Sequence, residues 1–551
     1  MTSAWFTTGG ECEMSLGRAD PQGNLFDDVK RVCEETLPEK SVYRLLHTER
    51  ERLFPDELFA DLFSDQGRRS VPPSVVATVM VLERLEGLSD REAVERYTFD
   101  ARWRYAAGVS GYGAGCRDSF AHTVLVDMRE RLRRSERPDR IFEIGLEAAR
   151  EAGLVGRKRV LDSTPLYDAV ATMDTVTLVR SAMRGLLAVA DDELEGRLRS
   201  ALTSGDEYSS GAKPQIDWAD PVEREKLVDC RAQDAFACLG LLEGRELPET
   251  VLEASKLLAV VVGQDLEEGK DGTFRIARRV AKDRVISTVD PQARHGHKTA
   301  ARSFDGYKGH AAVDPDSEII TATEVTPGNA GDASVAEGLI EDLLLAGENG
   351  ALDKGDGSGG AARSKVYGDS AYGSGQFQSA LEGAGIESGC KTQGLLEAPG
   401  GLFSKDRFEI DLEAETVRCP NGTTVWIRRG SGGAGQARFG QACAACPLRR
   451  QCTSSASGRT VHVGIHEAVL TRARRRQTAP GWSADYRETR PKVERKLAHL
   501  MRRKHGGRRA RMRGVVKIDA DFRLLAAAAN LARLAILGLR SMGAKWSVAT
   551  A

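Results

Sequence analysis

The sequence predicts an α/β fold in which a mixed sheet flanked by helices follows an all-α N-terminal domain and carries a small cysteine-rich insertion. Three observations support it. Val75, Val79, Leu82 and Leu85 recur at three- and four-residue spacing, as one buried helix face requires. Farther on, FDGYKGHAAVD from Phe304 and EIITATEVT from Glu318 are β-rich runs separated by a Pro-Asp-Ser turn at Pro315 to Ser317. Four of the ten cysteines then crowd between Cys419 and Cys452.

A chain of 551 residues, 41% of them hydrophobic, can bury a substantial core and divides into several domains, which excludes a peptide hormone or a small module. The start, MTSAWFTTGGECEM, lacks the cationic head and apolar centre of a secretory signal, so a cytoplasmic protein is expected. The most apolar run, from Phe522, is interrupted by Arg523, Asn530 and Arg533; it predicts a packed C-terminal helix and no membrane partner.

Taken in order, residues 1–40 show little commitment to structure, and residues 41–153 have helical texture. Pro72 and Pro73 open a helix that Gly87 closes, and Ser89 with Glu92 forms a capping-box signature at the start of the next. Helix, short turn and helix are compatible with a unit docking in a DNA major groove, and equally with a plain helical bundle. The first part of the core, residues 154–395, opens with the β-prone RKRVLDSTPL and continues through a mostly helical insertion at 176–300, weakly structured around 204–221. The hairpin from Phe304 follows, then a helix over Ala333 to Leu345, a GDGSGG connection, the strand KVYGD ending at Asp369, a helix near Gln376 to Leu381 and a strand around Ile386. Residues 396–480 read as a zinc-ribbon-like insertion, and residues 481–551 return to the core with a helix from Tyr486 to Lys504 that carries Glu494. Strand, helical insertion, hairpin, helix, strand, helix, strand and a last basic helix are the order of an RNase H-like fold.

The overall charge is close to zero, with 79 Lys and Arg against 80 Asp and Glu, but it is unevenly spread. From Arg490 to Arg513 eleven Lys or Arg accompany a single acid, Glu494. Such a block suits polyphosphate, because each neutralised phosphate releases counterions; a solvated basic helix is the plainer reading. Phosphodiester cleavage needs an activated water and a stabilised leaving group, which two divalent ions roughly 3.5 to 4 Å apart supply. Hard ions such as Mg2+ ask the protein for a few converging carboxylates. Asp162 and Asp369 each end a short apolar strand, where an acid is usually only a turn former.

The phrases VLDSTPL, FDGYKGHAAVDPDSEIITATEVTPGNAGDA, VYGDSAYGS and RPKVERKLAHLMRRKHGGRRARMRG, in this order, resemble the DDE transposases of bacterial insertion sequences. The resemblance runs from the helical N-terminal unit to NLARL near the end. It implies an RNase H-like catalytic core in which Asp162, Asp369 and Glu494 are the catalytic residues and bind Mg2+ or Mn2+. Glu488, six residues before Glu494, is the rival for the third carboxylate, on a different helix face. Many relatives carry a Tyr, Arg, Glu and Lys pattern around the glutamate. Arg490 fits it, whereas Arg487 stands at the tyrosine position, with Tyr486 one place off, and Met501 at the lysine position. Arg490, Arg495, Lys496, Arg502, Arg503 and Lys504 are the candidate DNA contacts, joined by Lys308 and His310 of GYKGH, which are otherwise ordinary sheet residues. The resemblance also implies cleavage and strand transfer at terminal inverted repeats, with target DNA as second substrate and a homodimer on DNA.

Cys419, Cys443, Cys446 and Cys452 have the spacing C-x23-C-x2-C-x5-C, which fits a structural Zn2+ in a tetrahedron of thiolates and leaves no open position for catalysis. A reduced set of free thiols is the alternative. Two other functions share these features: an RNase H-like nuclease without strand transfer, and a catalytically inactive, transposase-derived DNA-binding protein.

Overall fold

The computed structural model describes residues 14–16, 28–109, 119–168, 172–212, 214–299, 301–348, 363–395 and 399–548. The GDGSGG connection lies outside them, as does most of the stretch before Asp28. Within the first forty residues, Asp28–Thr36 is nonetheless helical, because Val29 and Cys33 pack against Tyr105.

The N-terminal helices include α1 (Val42–Leu53), α2 (Pro73–Glu86), α3 (Asp90–Phe99), α4 (Thr123–Arg134) and α5 (Arg140–Glu151). The Ser89 and Glu92 capping box forms as predicted: Glu92 Oε2 accepts from the Ser89 amide at 2.8 Å and Ser89 Oγ from the Glu92 amide at 3.4 Å. Helix α2 differs from the expectation of one buried face, since every residue from Pro73 to Leu85 is buried. The two charged residues of that buried run are paired: Glu83 meets Arg129 and Arg511, each at 2.5 Å, and Arg84 meets Asp521 at 3.1 Å. Breaking such a pair would strand a charge in the core. Because Arg511 and Asp521 belong to the C-terminal segment, one continuous apolar cluster runs from Leu45 through Val160 and Ile320 to Trp546, and packing does not break at residue 153. The exposed side of α3 mixes Arg91 and Arg96 with Glu92 and Glu95, which is not a basic face.

The central sheet contains β1 (Lys158–Tyr167), β2 (Arg294–Thr299), β3 (Arg302–Val313), β4 (Ile320–Pro327), β5 (Lys365–Gly368) and β6 (Glu387–Cys390). Its order is β6-β5-β1-β3-β2, with β4 also on β3; β6, β5 and β1 are parallel, and β3 is antiparallel to β1, β2 and β4. The predicted hairpin is β3 and β4. Strand β2 lies within the stretch expected to be helical, and its sequence RHGHKT has no apolar alternation to signal a strand. The insertion folds into helices as far as Asp265, among them α6 (Thr175–Val189), α7 (Pro221–Leu242) and α8 (Glu249–Asp265), around an apolar core of their own, and then departs from the expectation in a short antiparallel hairpin of Leu266–Glu268 with Phe274–Ile276. The helix predicted over Ala333 to Leu345 is broken into short turns at Asp332–Val335 and Gly338–Ile340 before Glu341–Glu348.

A separate five-stranded antiparallel sheet, in sequential order, comprises β7 (Glu409–Asp411), β8 (Thr416–Arg418), β9 (Thr424–Arg429), β10 (Gly435–Arg438) and β11 (Thr460–Val463). Its small core of Phe408, Val417, Ile427, Ala437, Phe439, Val461 and Val463 includes Cys452.

The last helices are α9 (Pro480–Thr489), α10 (Pro491–Leu500) and α11 (Val515–Leu537). The single helix expected from Tyr486 to Lys504 is interrupted at Arg490, where Pro491 supplies no amide hydrogen, and α10 ends at Leu500. Helix α11 is buried along most of its length, as its apolar sequence predicted. Its Asn530 side chain accepts from the Ile320 amide and donates to the Ile320 carbonyl, both at 2.8 Å, so it satisfies the edge of β4. Among the described residues no helix is long and apolar enough to cross a membrane.

Candidate active site

Strand pairing brings the two aspartates together. Val160 of β1 pairs with Tyr367 of β5 in parallel register, and Asp162 and Asp369 each lie two residues further on and on the same face; Asp369 follows the end of β5, whereas Asp162, expected to end its strand, stands in the middle of β1, whose pairing with β3 continues to Tyr167. Helix α10 packs on β1 from that face and supplies Glu494.

The three carboxylates meet at Arg490. Its guanidinium stands 2.9 Å from Asp162, 3.9 Å from Asp369 and 3.3 Å from Glu494, the last across one helical turn. The Arg490 side chain is only 7% exposed, against 60% for Glu494, so the cation is inside and the acids reach it from strand, turn and helix. Burial pushes the Asp162 carboxyl above its usual range, opposed by Arg490. Burial also works against the Arg490 charge, but Asp162, Tyr486 and Asp369 together outweigh it and the guanidinium is held above its ordinary value. Asp369 is further fixed by accepting the Ala371 amide at 2.9 Å. Glu488 is exposed on α9, while Glu494 touches the shared guanidinium.

Tyr486, one place off the pattern of relatives, lies beside Arg490 and Asp369 and stacks on Trp482 at 5.0 Å, whereas Arg487 is exposed.

The predicted DNA contacts divide by exposure. Arg502, Arg503 and Lys504 are exposed, and Arg495 is exposed while pairing with Glu318 at 3.1 Å. Lys496 is buried on the inner side of α10 and its ammonium is pushed down to about 8 by desolvation, so it has no surface from which to meet a phosphate. His310 is 0% exposed, which likewise corrects its expected role as a DNA contact. Lys308 is held at 2.7 Å by Asp332, and Arg490 is occupied by the carboxylates.

Two features were not read from sequence. Ser163 donates to Asp332 at 2.5 Å, so the residue after the first aspartate is tied to the loop after β4. The basic segment also extends the sheet: Tyr167 donates to the Arg508 carbonyl at 2.9 Å and Ala510 donates to the Tyr167 carbonyl at 2.8 Å, which sets the exposed Arg508 and Arg509 at the end of the strand that carries Asp162.

In the second sheet, Cys419, Cys443, Cys446 and Cys452 line one pocket, together with Phe408, Phe439 and Arg459. Burial raises the Cys452 thiol, opposed by Arg459 and reinforced by the other three cysteines. Among the described residues no group of three or more His, Cys, Asp or Glu side chains stands in metal-holding geometry, and at the first site the acids are drawn to the guanidinium instead.

Residues 418–535 match the family model of a transposase DDE domain, and residues 31–131 match that of a transposase domain (DUF772). The first match includes the four cysteines, Arg490 and Glu494 but neither aspartate. No curated protein and no solved structure matches the chain.

Proposed function

We propose that this chain, a DDE transposase of the insertion-sequence type by its two family domains, cleaves and joins DNA with Asp162, Asp369 and Glu494. The observation that carries the reading is the convergence of these three carboxylates, separated by more than three hundred residues of chain, on one buried cation. The strand order, with three antiparallel strands followed by two parallel ones beyond β1, supports an RNase H-like core.

The donor set fits a hard divalent ion, because three oxygen-bearing side chains already gather around a positive charge. Asp162, Asp369 and Glu494 would hold Mg2+ or Mn2+, which when bound would activate water and stabilise the leaving oxygen. Arg490 neutralises the acids while no metal ion is there, which lets Asp162 remain buried without repulsion. Arg502, Arg503, Lys504, Arg508 and Arg509 hold the phosphate backbone beside the site. Terminal inverted repeats and target DNA are the substrates, and a homodimer holds two ends together. The four cysteines fit a structural Zn2+, since soft thiols from a turn and a hairpin share one pocket above a core too small to fold by burial alone.

The test is incubation of the purified protein with Mg2+ or Mn2+ and labelled DNA carrying the ends that flank its own gene. Nicks at the element's end followed by joined products are expected. Cutting without joining would replace the proposal with a nuclease, and binding without cutting with a catalytically silent DNA-binding protein.

A further inference from the structure

Behind the aspartates, on the opposite face of the sheet, lies a buried polar pair that the proposed chemistry does not use. His310 of β3 is 0% exposed and stands opposite Ser163, the residue after Asp162. Its Nδ1 lies 3.0 Å from the Tyr372 hydroxyl and its Nε2 lies 2.9 Å from the Thr326 hydroxyl of β4. Tyr372, also 0% exposed, closes the turn that follows β5, its amide donating to the Asp369 carbonyl at 3.2 Å. Gly368 makes room for this turn: a Cβ there would come within 2.9 Å of the Tyr372 Cβ. Burial drives the His310 imidazole down to about 4 and keeps the tyrosine hydroxyl protonated, so a neutral ring satisfies both contacts.

We propose that Tyr372 and His310 are a positioning pair that sets the spacing of Asp162 and Asp369. Pairing of β1 with β5 ends at Val160 and Tyr367, and although β6 holds β5 from its other side as far as Gly368, no strand pairing ties the Asp369 turn to β1. The Tyr372 to His310 bond fastens that turn, across β1, to the strand that pairs with Asp162. This rests on the proposed role of the two aspartates as metal ligands. Polar groups behind metal ligands typically change affinity by about 10- to 100-fold when removed.

The test is Mn2+ binding to the full-length protein without DNA, followed by electron paramagnetic resonance of the free ion, with thermal unfolding measured in parallel. Tyr372→Phe removes one hydroxyl and keeps the ring in the core; His310→Ala removes the partner, and His310→Gln restores a hydrogen-bonding group. Tyr372→Phe and His310→Ala are expected to weaken Mn2+ binding about tenfold, with His310→Gln returning most of the loss. Asp162→Ala, as reference, abolishes the binding. Wild-type affinity in Tyr372→Phe, with or without a lower melting temperature, would reduce the pair to a structural one and overturn the proposal. Wild-type affinity in Asp162→Ala would instead overturn the ligand assignment on which the pair depends.

Discussion

The two clusters of candidate metal ligands differ in what holds them. Asp162, Asp369 and Glu494 come from a strand, a turn and a helix far apart in sequence, assembled by a large sheet whose core is shared with the N-terminal helices. Cys419, Cys443, Cys446 and Cys452 come from one short segment whose own sheet encloses a much smaller core. The first cluster has an internal cation that touches all three acids; the second has Arg449 and Arg459 along its pocket wall. The carboxylate site is therefore built by the fold, whereas under the proposed zinc site the cysteine segment would depend on its ligand.

The largest effect expected from this contrast is on the cysteine sheet. Replacing Cys443 and Cys446 by Ser, or stripping metal with a chelator, removes a contribution on the order of 10 kcal/mol. Limited proteolysis is then expected to cut within residues 399–463 while the remainder stays resistant. An intact sheet in the metal-free protein would show that its core suffices.

Arg490→Ala tests the other half. It leaves Asp162 buried without its partner and is expected to cost about 3 to 5 kcal/mol of stability in the metal-free protein. Saturating Mn2+ should return much of that loss, read as a larger metal-induced rise in melting temperature than in wild type. A melting temperature equal to wild type without metal would mean that the guanidinium is not balancing the acids.

The buried His310 adds a pH term. Its folded value of about 4 lies below the ordinary 6.5, so the unfolded chain binds the proton first and stability falls as pH drops from about 6.5 towards 4. The loss is on the order of 3 kcal/mol by pH 4, and His310→Gln should flatten it. An unchanged pH profile in that variant would assign the loss to other groups.

The smallest effect belongs to the surface. Arg495→Ala breaks an exposed pair with Glu318 and should change stability by less than about 1 kcal/mol. A larger loss in thermal unfolding would mean that this pair anchors α10.

Much of this was legible in the sequence where local pattern and chemistry coincide. VYGD is an apolar strand ended by an acid, and the Ser89 capping box sits where its spacing asks, whereas the strand of VLDST runs on past Asp162 to Tyr167 because β3 pairs with it throughout. What escaped depends on neighbours distant in the chain. Lys496 looks like one more cation of a basic run, but α10 turns it onto the sheet. His310 sits in an alternating strand whose two faces are both covered, so alternation does not separate inside from outside. The all-round burial of α2 likewise needs α11, which lies more than four hundred residues later. That Tyr486 rather than Arg487 faces the site likewise requires the packed structure.

The central claim is that Glu494 completes a site with Asp162 and Asp369. It is tested most directly by comparing Glu494→Ala with Glu488→Ala, beside Asp162→Ala and Asp369→Ala, in Mn2+-dependent nicking of end DNA. The account predicts a loss of roughly 10⁴-fold or more for the three site variants, as for members of one catalytic unit, with Glu488→Ala near wild type. A silent Glu488→Ala with an active Glu494→Ala would contradict it.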